Sequence, residues 1–387
     1  MRTEPFPRRV VTGEGFCNRT KERTTLSKLL LQGTHIWIQA HRRHGKSSLL
    51  EQVGEDLREG GHDITLDRCH ILFNSGHESL IRQLLQTTSN LLGQTAAVQA
   101  RKNGYTKTEA VIDYIKAKFN KVELNVKLDR GMPSISFEKN SQNVTLNSLR
   151  EAMSRLDEYA YESDVRAIFI IDEFQELGKT DGGIEIESAI RHQLEQSKAI
   201  TFVFCGSERA LMAQSLTDQK RPLYNHTKPF PLNRIAPDHY KGHFNKLAQN
   251  EWGSDLPDEV IDKVLSLSEC HPYYVNAICS DLWLLPSLPD LDDVAQVWQE
   301  VVDMAEREEK GLILSLSTND KKLLSGIARG INEKLQSKDA YTKMNLAPSS
   351  VKRSLESLIN KDLVEKSEDG TYRVINPVIA EIARRHS

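Results

Sequence analysis

The sequence predicts an α/β fold in which helices connect the strands of a parallel sheet. A β-rich run at 36–38 leads through a loop into an amphipathic helix. Two later runs, 165–171 and 200–205, are apolar throughout, which is typical of parallel strands buried on both faces. Strand-like and helix-like segments alternate, and this alternation favours a parallel sheet with crossover helices. With 387 residues, the chain is long enough for two or three domains that each bury a core.

The N-terminal part of the chain is expected to alternate between helices and strands. A helix ends at Gly33, the strand at 36–38 follows, and the next helix opens near Lys46. A second strand is predicted at 64–73 and a helix at 79–92. This order is that of a sheet built from strand–helix–strand units.

Residues 93–148 interrupt this alternation. A lysine-rich helix is expected at 107–121, and two alternating runs at 122–139 that meet near Gly131 predict a β-hairpin. The hairpin alternates charged with apolar residues, so one face would pack and the other would be free for a partner. A hairpin with no partner is an equally good interpretation. The segment is therefore predicted to be an insertion of one helix and one hairpin.

The sheet is predicted to resume after the insertion. A helix at 149–161 leads into the two apolar strands, and an edge strand is expected between residues 220 and 237. The first domain would then span residues 1–237.

The remainder of the chain is predicted to be mostly helical. Residues 238–312 form a helical lid with a break before Pro272. Three helices and a hairpin that turns at Gly370 follow, with the helices at 319–329, 338–344 and 349–360. Three helices followed by a β-wing describe a winged-helix domain, here at 313–387.

The loop after the first strand carries the chemistry of a phosphate site. Gly45, Lys46 and Ser47 form the second half of the pattern GxxxxGK(S/T), in which backbone N–H groups cradle phosphates. In that pattern the lysine reaches the β- and γ-phosphates and the hydroxyl binds Mg²⁺. Ala40 replaces the first glycine, and its methyl group requires a φ below zero. A surface loop with a chance GKS triplet is the alternative, but the preceding strand and the following helix favour a nucleotide site.

The apolar strand that ends at residue 171 supplies a second element of such a site. Asp172 would hold Mg²⁺ beside the phosphates, and Glu173 would orient or deprotonate the attacking water. An ordinary strand followed by an acidic helix cap is the alternative. Because both elements occur in the right order in one chain, the nucleotide interpretation is favoured.

Three further positions are weaker candidates. Ser207, after the next strand, would bond the γ-phosphate or the attacking water, or would simply cap a helix. Arg209 or Arg221 would supply positive charge. His271, before Pro272, would face the nucleotide at the start of a lid helix or would be a plain helix entry.

Composition excludes some classes of protein. The net charge is −3, so wholesale polyanion binding is not indicated and only local basic patches remain. No window approaches 18 consecutive apolar residues, and the five cysteines show no pairing pattern. The N-terminus carries no signal-peptide core. We therefore expect a cytoplasmic protein without a membrane span.

Taken in order, the motifs resemble one family of ATPases. They are FCNRTKERTTLSKLL, QAHRRHGKSSLL, FIIDEFQEL, FVFCGSERALM, RPLY and HPYYVNAICSDLW. The chain resembles the STAND-class P-loop ATPases of the archaeal-type ATPase family, which are related to AAA+ and origin-recognition ATPases. The resemblance covers nearly the whole chain, including the C-terminal winged helix. It implies ATP or ADP and Mg²⁺ as cofactors.

The resemblance also implies roles for individual residues. Lys46 and Ser47 correspond to Walker A, Asp172 and Glu173 to Walker B, and Ser207 to the polar sensor. A second group would surround the nucleotide: Arg19 near adenine, the loop residues Arg43, His44, Gly45 and Ser48, and the lid motif His271-Pro272. Two departures, Ala40 and Asn225-His226 where many relatives carry an arginine, imply slow hydrolysis.

The predicted function is an ATP-binding, slowly hydrolysing switch that works with a protein partner or by self-assembly. One alternative is a DNA-binding regulator or loader in which nucleotide serves to order the structure. Residues 318–387 contain thirteen Lys and Arg against nine Asp and Glu, which is a modest excess for DNA binding. Docking of the winged helix on protein, through the apolar tail VINPVIAEIA, is the competing interpretation. A degenerate P-loop that only mediates protein contacts is a third possibility.

Overall fold

The computed structural model describes residues 4–71, 76–105, 110, 124–129, 132–137, 144–367 and 369–385. The chain forms two compact units. The first, which we call the sheet unit, comprises Thr20–Ala40 and Leu49–Leu232. The second, which we call the C-terminal unit, comprises Met1–Arg19, His41–Ser48 and Asn233–Ser387.

A five-stranded parallel sheet forms the centre of the sheet unit, with strand order β2-β5-β6-β1-β7. These strands are β1 Ile36–Gln39, β2 Ile64–His70, β5 Arg166–Asp172, β6 Ile200–Phe204 and β7 Lys228–Pro231. The predicted α/β fold class with a parallel sheet is confirmed. The two apolar runs are adjacent central strands, and Ile168, Phe169 and Phe202 are fully buried. The predicted edge strand is β7, whose two prolines are tolerated because only one side of an edge strand is paired.

The helices of the sheet unit connect these strands. They are α1 Thr20–Leu31, α2 Lys46–Glu59, α3 His77–Lys102, α4 Leu146–Glu162, α5 Gly183–Gln196 and α6 Arg209–Thr217. The apolar faces of α3, α4, α5 and α6 share one hydrophobic core with the sheet. That core fixes the carboxyl ends of β1, β5 and β6 at one edge of the sheet.

Two predicted boundaries in this unit were wrong. β2 ends at His70 and not at residue 73. The helix predicted at 79–92 runs from His77 to Lys102 and so passes through residue 93, where the insertion was expected to begin. It continues because Ala96, Ala97 and Ala100 extend its buried face.

The predicted hairpin forms as β3 Leu124–Asp129 and β4 Met132–Phe137, a separate antiparallel pair. Leu124 lies opposite Phe137 in its register. The helix predicted at 107–121 lies outside the described residues, apart from Ala110.

The C-terminal unit has two parts, and the first, which we call the four-helix part, is formed by α7 Pro237–Trp252, α8 Asp258–Ser268, α9 Pro272–Leu282 and α10 Leu291–Ser315. Asp290 and Asp293 form a capping box at the start of α10, so this helix begins where the side chains satisfy its free N–H groups. Phe6, from the N-terminal segment, packs on Phe244 and Trp283 in the core of these helices.

The predicted winged helix is confirmed. It consists of α11 Thr318–Ala328, α12 Lys338–Met344, α13 Pro348–Asn360, β8 Val364–Lys366 and β9 Tyr372–Val374. The apolar tail forms one more helix, α14 Pro377–Arg385. Val378 and Ile382 of α14 pack into the core of the preceding helices, whereas Ile379 and Ala380 pack into the winged-helix core. Helix α14 therefore joins these two parts of the C-terminal unit.

Within the described parts of the chain, no helix is both long enough and apolar enough to cross a membrane.

Candidate nucleotide site

The loop between β1 and α2 contains two residues in the left-handed backbone conformation. Gly45 has φ +83° and Arg43 has φ +64°. A Cβ on Gly45 would meet nothing within 4 Å, which means that backbone conformation and not space favours glycine here. Ala40 is not among the residues with positive φ, so its methyl group is compatible with the backbone.

Side chains of the C-terminal unit hold this loop. Arg19, which is 4% exposed, donates a hydrogen bond to the carbonyl oxygen of His44 at 3.0 Å. Lys46 Nζ donates to the carbonyl oxygen of His41 at 3.3 Å. The Ser48 hydroxyl accepts a bond from the N–H of Val11 at 3.1 Å. Three predicted site residues, Arg19, Lys46 and Ser48, thus contact the loop or lie in it.

His44 of the loop packs against a second buried histidine, His271. The ring centroids of His44 and His271 are 4.7 Å apart, and the residues are 1% and 2% exposed. Burial lowers the pKa of His271 to about 3 and lowers that of His44 as well, so both rings are neutral near pH 7. His271 caps α9 and Pro272 is its first residue. Among the described residues, neither ring nitrogen of His44 nor Nδ1 of His271 has a hydrogen-bond partner.

The Arg43 guanidinium lies over the ring of Tyr273, with its central carbon 4.4 Å from the ring centroid. Arg43 was predicted to lie at the nucleotide, whereas Tyr273 was not predicted as a site residue. The aromatic-rich helix that follows Pro272 was the only available signal for this contact.

The first side chain of the loop after Ala40 contacts the winged helix. His41 Nδ1 lies 2.9 Å from a carboxylate oxygen of Asp362, and Nε2 lies 2.6 Å from one of Glu365. Arg373 donates to the second oxygen of Glu365 at 2.6 Å. Burial alone would lower the pKa of His41, but the bonds to both carboxylates outweigh it and raise the pKa. Both ring nitrogens therefore donate, as in an imidazolium ion.

The end of β5 carries the two predicted carboxylates in the sheet unit. One oxygen of Asp172 accepts a bond from the N–H of Glu173 at 3.1 Å. The other lies 3.7 Å from a guanidinium nitrogen of Arg68 and 3.7 Å from Nδ1 of His70, both on the neighbouring strand β2. Arg68 was not predicted as a site residue, because nothing in a single strand segment shows which strand will be its neighbour.

Glu173 and Ser207, which were both predicted to be site residues, are hydrogen-bonded to each other. Glu173 Oε2 accepts bonds from the Ser207 hydroxyl at 2.7 Å, from the Ser207 N–H at 3.2 Å and from Gln175 Nε2 at 2.6 Å. Glu173 also has φ +55°, an uncommon conformation for a residue with a side chain. The backbone and three donors therefore fix the carboxylate at the end of β5.

Arg221, considered as a source of charge for phosphate, forms an ion pair with Glu187. Glu187 is fully buried, and burial raises its pKa to about 7 in spite of that arginine. Removing Arg221 would leave an unpaired buried carboxylate, so its role in the structure is the ion pair.

A metal site made of protein ligands alone is not found: the described residues include no group of three or more His, Cys, Asp or Glu that could hold an ion. This is compatible with Mg²⁺ in a nucleotide site, since that ion usually takes one or two protein ligands together with phosphate oxygens and waters.

A parallel sheet whose first strand leads into a GKS loop, together with an acidic strand end, defines a P-loop NTPase. Residues 32–226 match the family model described as "KAP family P-loop domain". Because this match covers just over half of the chain, the chain belongs to the KAP family of P-loop NTPases. Residues 310–382 match a model described as "Probable winged helix domain".

Solved structures are similar over almost the whole chain, and two of them serve as examples. The Walker-type ATPase of Pyrococcus abyssi superposes with a TM-score of 0.67 at 21% identity, covering 98% of this chain and 99% of that one. The ORC2 protein of Aeropyrum pernix, solved with ADPNP and ADP, superposes with a TM-score of 0.50 at 16% identity, covering 95% of this chain and 92% of that one. At these identities the likeness shows the fold. No match was found among proteins with curated functions.

Proposed function

We propose that the protein is a STAND-type switch that binds ATP, hydrolyses it slowly and couples nucleotide state to conformational change or assembly with a partner. Membership of a P-loop NTPase family and the backbone of the GKS loop support nucleotide binding. The similar ORC2 protein was solved with ADPNP and ADP, and this favours adenine nucleotides. The cytoplasm as its location and the division into 1–237, 238–312 and 313–387 remain predictions.

In this proposal five residues act on the triphosphate. Lys46 binds the β- and γ-phosphates, while Ser47 and Asp172 hold Mg²⁺, whose charge offsets that of the phosphates. Glu173 orients or deprotonates the attacking water, and Ser207 positions Glu173. Strand β1, which leads into the loop, and strand β5 end at the same edge of the parallel sheet, and this supports the proposal.

The second predicted group of residues would surround the rest of the nucleotide. It comprises Arg19, Arg43, His44, Gly45, Ser48, His271 and Pro272. Both ring nitrogens of His44 and Nδ1 of His271 have no partner among the described residues, which fits this proposal, because a neutral imidazole can both donate to and accept from a polar ligand. A buried polar atom without a partner is otherwise costly.

Slow hydrolysis fits the environment of Glu173. Its Oε2 atom already accepts three hydrogen bonds, so this oxygen is less available to an attacking water. We propose that Ser207 and Gln175 restrain Glu173 until nucleotide or a partner rearranges them. The absence of an arginine directly after Tyr224, where Asn225 and His226 follow, also favours slow hydrolysis.

The observation that carries the switch proposal is the contact of His41 with Asp362 and Glu365. His41 lies in the phosphate loop, whereas the two acids flank or belong to the first strand of the wing. A ligand shifts a conformational equilibrium only if it interacts differently with the two states. A phosphate that reorganises the loop would change this contact, and so would change how the winged helix is held.

The test is the double variant Asp362→Asn with Glu365→Gln, which keeps the shapes of the side chains but removes both charges that His41 contacts. Oligomeric state by light scattering and protease sensitivity would be measured with ATP, with ADP and without nucleotide. We expect ATP binding to persist while the nucleotide-dependent change is lost. The matched control is Glu333→Gln with Asp339→Asn, which removes two exposed acids elsewhere in the winged helix.

Three outcomes would count against the proposal. A wild-type protein that gives the same result in all three nucleotide states is not a switch. If the double variant changes with nucleotide as strongly as the wild type does, the His41 contact is not needed for the nucleotide-dependent change. A wild-type protein that binds no labelled ATP would favour the degenerate P-loop.

The alternative function is a DNA-binding regulator or loader. The observation that favours it is the pair of exposed cations Lys352 and Arg353 on α13, the second long helix of the winged helix. A winged helix that reads DNA commonly uses the corresponding helix in the major groove.

A further inference from the structure

A cleft of about 480 Å³ opens in the C-terminal unit. It lies where the end of α10, helices α11 and α12, and the tail helix α14 come together. Its walls are mainly apolar and include Leu316, Leu324, Ile331, Met344, Ile379 and Ile382. Its volume falls in the range of about 300–1,000 Å³ that is typical of small-molecule sites.

The charged side chains that line the cleft all have one sign. Four cations take part, namely Lys321, Lys322, Arg329 and Lys343. The described lining residues include no aspartate or glutamate. Lys343 pairs with Asp339 outside the cleft, but this pair is exposed and such pairs hold their partners weakly. The cleft therefore combines an apolar interior with a positive potential at its rim.

We propose that this cleft binds a small organic anion with an apolar body, such as an alkyl or aryl carboxylate. The apolar body would displace water from the walls, and the anionic group would lie among the rim cations. A cationic or uncharged apolar molecule would gain nothing from the rim.

The walls of the cleft come from both parts of the C-terminal unit. Ile313, near the end of α10, also packs against the core of the four-helix part, and Met344 belongs to the winged-helix core. Ile379 and Ile382 lie on α14, which joins these two cores. A ligand seated here contacts both parts at once, and this is the kind of position in which an effector can bias their packing. The site goes beyond the proposed function and does not depend on nucleotide binding.

Dodecanoate is a suitable probe, with binding to the full chain measured by titration calorimetry without nucleotide and below the micellar concentration. We expect one dodecanoate per chain. The control ligand is dodecyltrimethylammonium, which has the same apolar chain and the opposite charge and is expected to bind more weakly than dodecanoate. Equal binding of the two ligands, no binding of dodecanoate, or several molecules per chain would each overturn the proposal.

Two variants locate the site. Lys321→Gln with Lys343→Gln removes two rim charges and should weaken dodecanoate binding at least tenfold. The matched control, Lys352→Gln with Arg353→Gln, removes two exposed charges of the same winged helix outside the cleft and should change binding less than twofold. Equal weakening in both double variants would mean that net charge and not the cleft attracts the anion.

A third variant tests the cleft without changing charge. Ala383→Leu places a larger side chain on the wall, where Ala383 is partly buried. A thermal melt close to that of the wild type, together with weaker dodecanoate binding, would support the site. Unchanged dodecanoate affinity in a folded Ala383→Leu protein would contradict it.

Discussion

The phosphate loop and the acidic end of β5 differ in where the partners of their side chains lie: the partners of Asp172 and Glu173 belong to the sheet unit, whereas those of His41 belong to the winged helix. At the end of β5, Glu173 bonds to Gln175, two positions away, and to Ser207 after the adjacent strand β6. The loop is held from far along the chain: His41 bonds to Asp362 and Glu365, more than 300 positions away.

This difference separates two tasks. A parallel sheet fixes the ends of its strands, so carboxylates placed there keep a constant position for chemistry. The loop, in contrast, bonds to a winged helix that is far away in the sequence, so a change in the loop conformation can change the position of that domain. The expected consequence is that variants at the strand end change turnover, whereas variants at the loop's outer contacts change coupling.

The largest expected effect tests the strand end. Glu173→Gln keeps the shape of the side chain but removes the base, so turnover should fall by roughly 10² to 10⁴ while ATP still binds. The measurement is single-turnover hydrolysis together with binding of labelled ATP. Glu185→Gln, at an exposed glutamate of α5, is the control. Wild-type turnover in Glu173→Gln would show that the strand end does not perform the chemistry.

The next largest effect concerns the loop. Lys46→Ala removes a charge-assisted bond to the phosphates, so ATP affinity should fall at least tenfold, about 1.4 kcal/mol. Equilibrium binding of labelled ATP measures this, with Lys220→Ala as a control at an exposed lysine. Unchanged affinity in Lys46→Ala would remove the loop from the nucleotide site.

Sequence analysis predicted the parts of this site that depend on local patterns. The strands at 165–171 and 200–205 were recognisable because burial on both faces requires continuous apolar runs. The carboxylates and Ser207 followed from their place at the strand ends. The partners of His41 were not predictable, because no local rule links a loop to acids more than 300 residues away. The length of α3 was missed because the insertion was expected to begin at residue 93, whereas three buried alanines continue the helix.

The contact of His41 with the winged helix should depend on pH. The folded state raises the pKa of His41 above its ordinary value of 6.5, so the stabilisation is fully present below pH 6.5 and is lost as the pH rises through the folded value. For one proton, the free energy of unfolding changes by at most about 1.4 kcal/mol per pH unit. Between pH 6.5 and 9, the free energy of unfolding should therefore fall less in His41→Asn than in the wild type.

The other two histidines of the loop region act in the opposite direction. The pKa values of His44 and His271 are lowered by burial, so their neutral forms stabilise the fold above pH 6.5 and that stabilisation is lost as the pH falls. Subtracting the denaturation profile of His41→Asn from that of the wild type isolates His41. A difference that is flat between pH 6.5 and 9 would contradict a charged His41 in the folded protein.

The smallest expected effect concerns α13 and decides whether the winged helix docks on protein or binds DNA. The winged-helix acids that contact His41 are Asp362 and Glu365, so a docking role does not involve the exposed Lys352 and Arg353. We therefore expect Lys352→Glu with Arg353→Glu to leave ATP binding unchanged and duplex DNA binding absent before and after. Binding would be measured at two salt concentrations.

If the two side chains contact phosphates, the wild type would bind DNA and the variant would bind more weakly. The slope of log affinity against log salt would then fall by nearly two units, since each neutralised phosphate contributes about 0.9. That result would replace docking with DNA contact as the role of this helix, while the His41 contact would still link the loop to the wing.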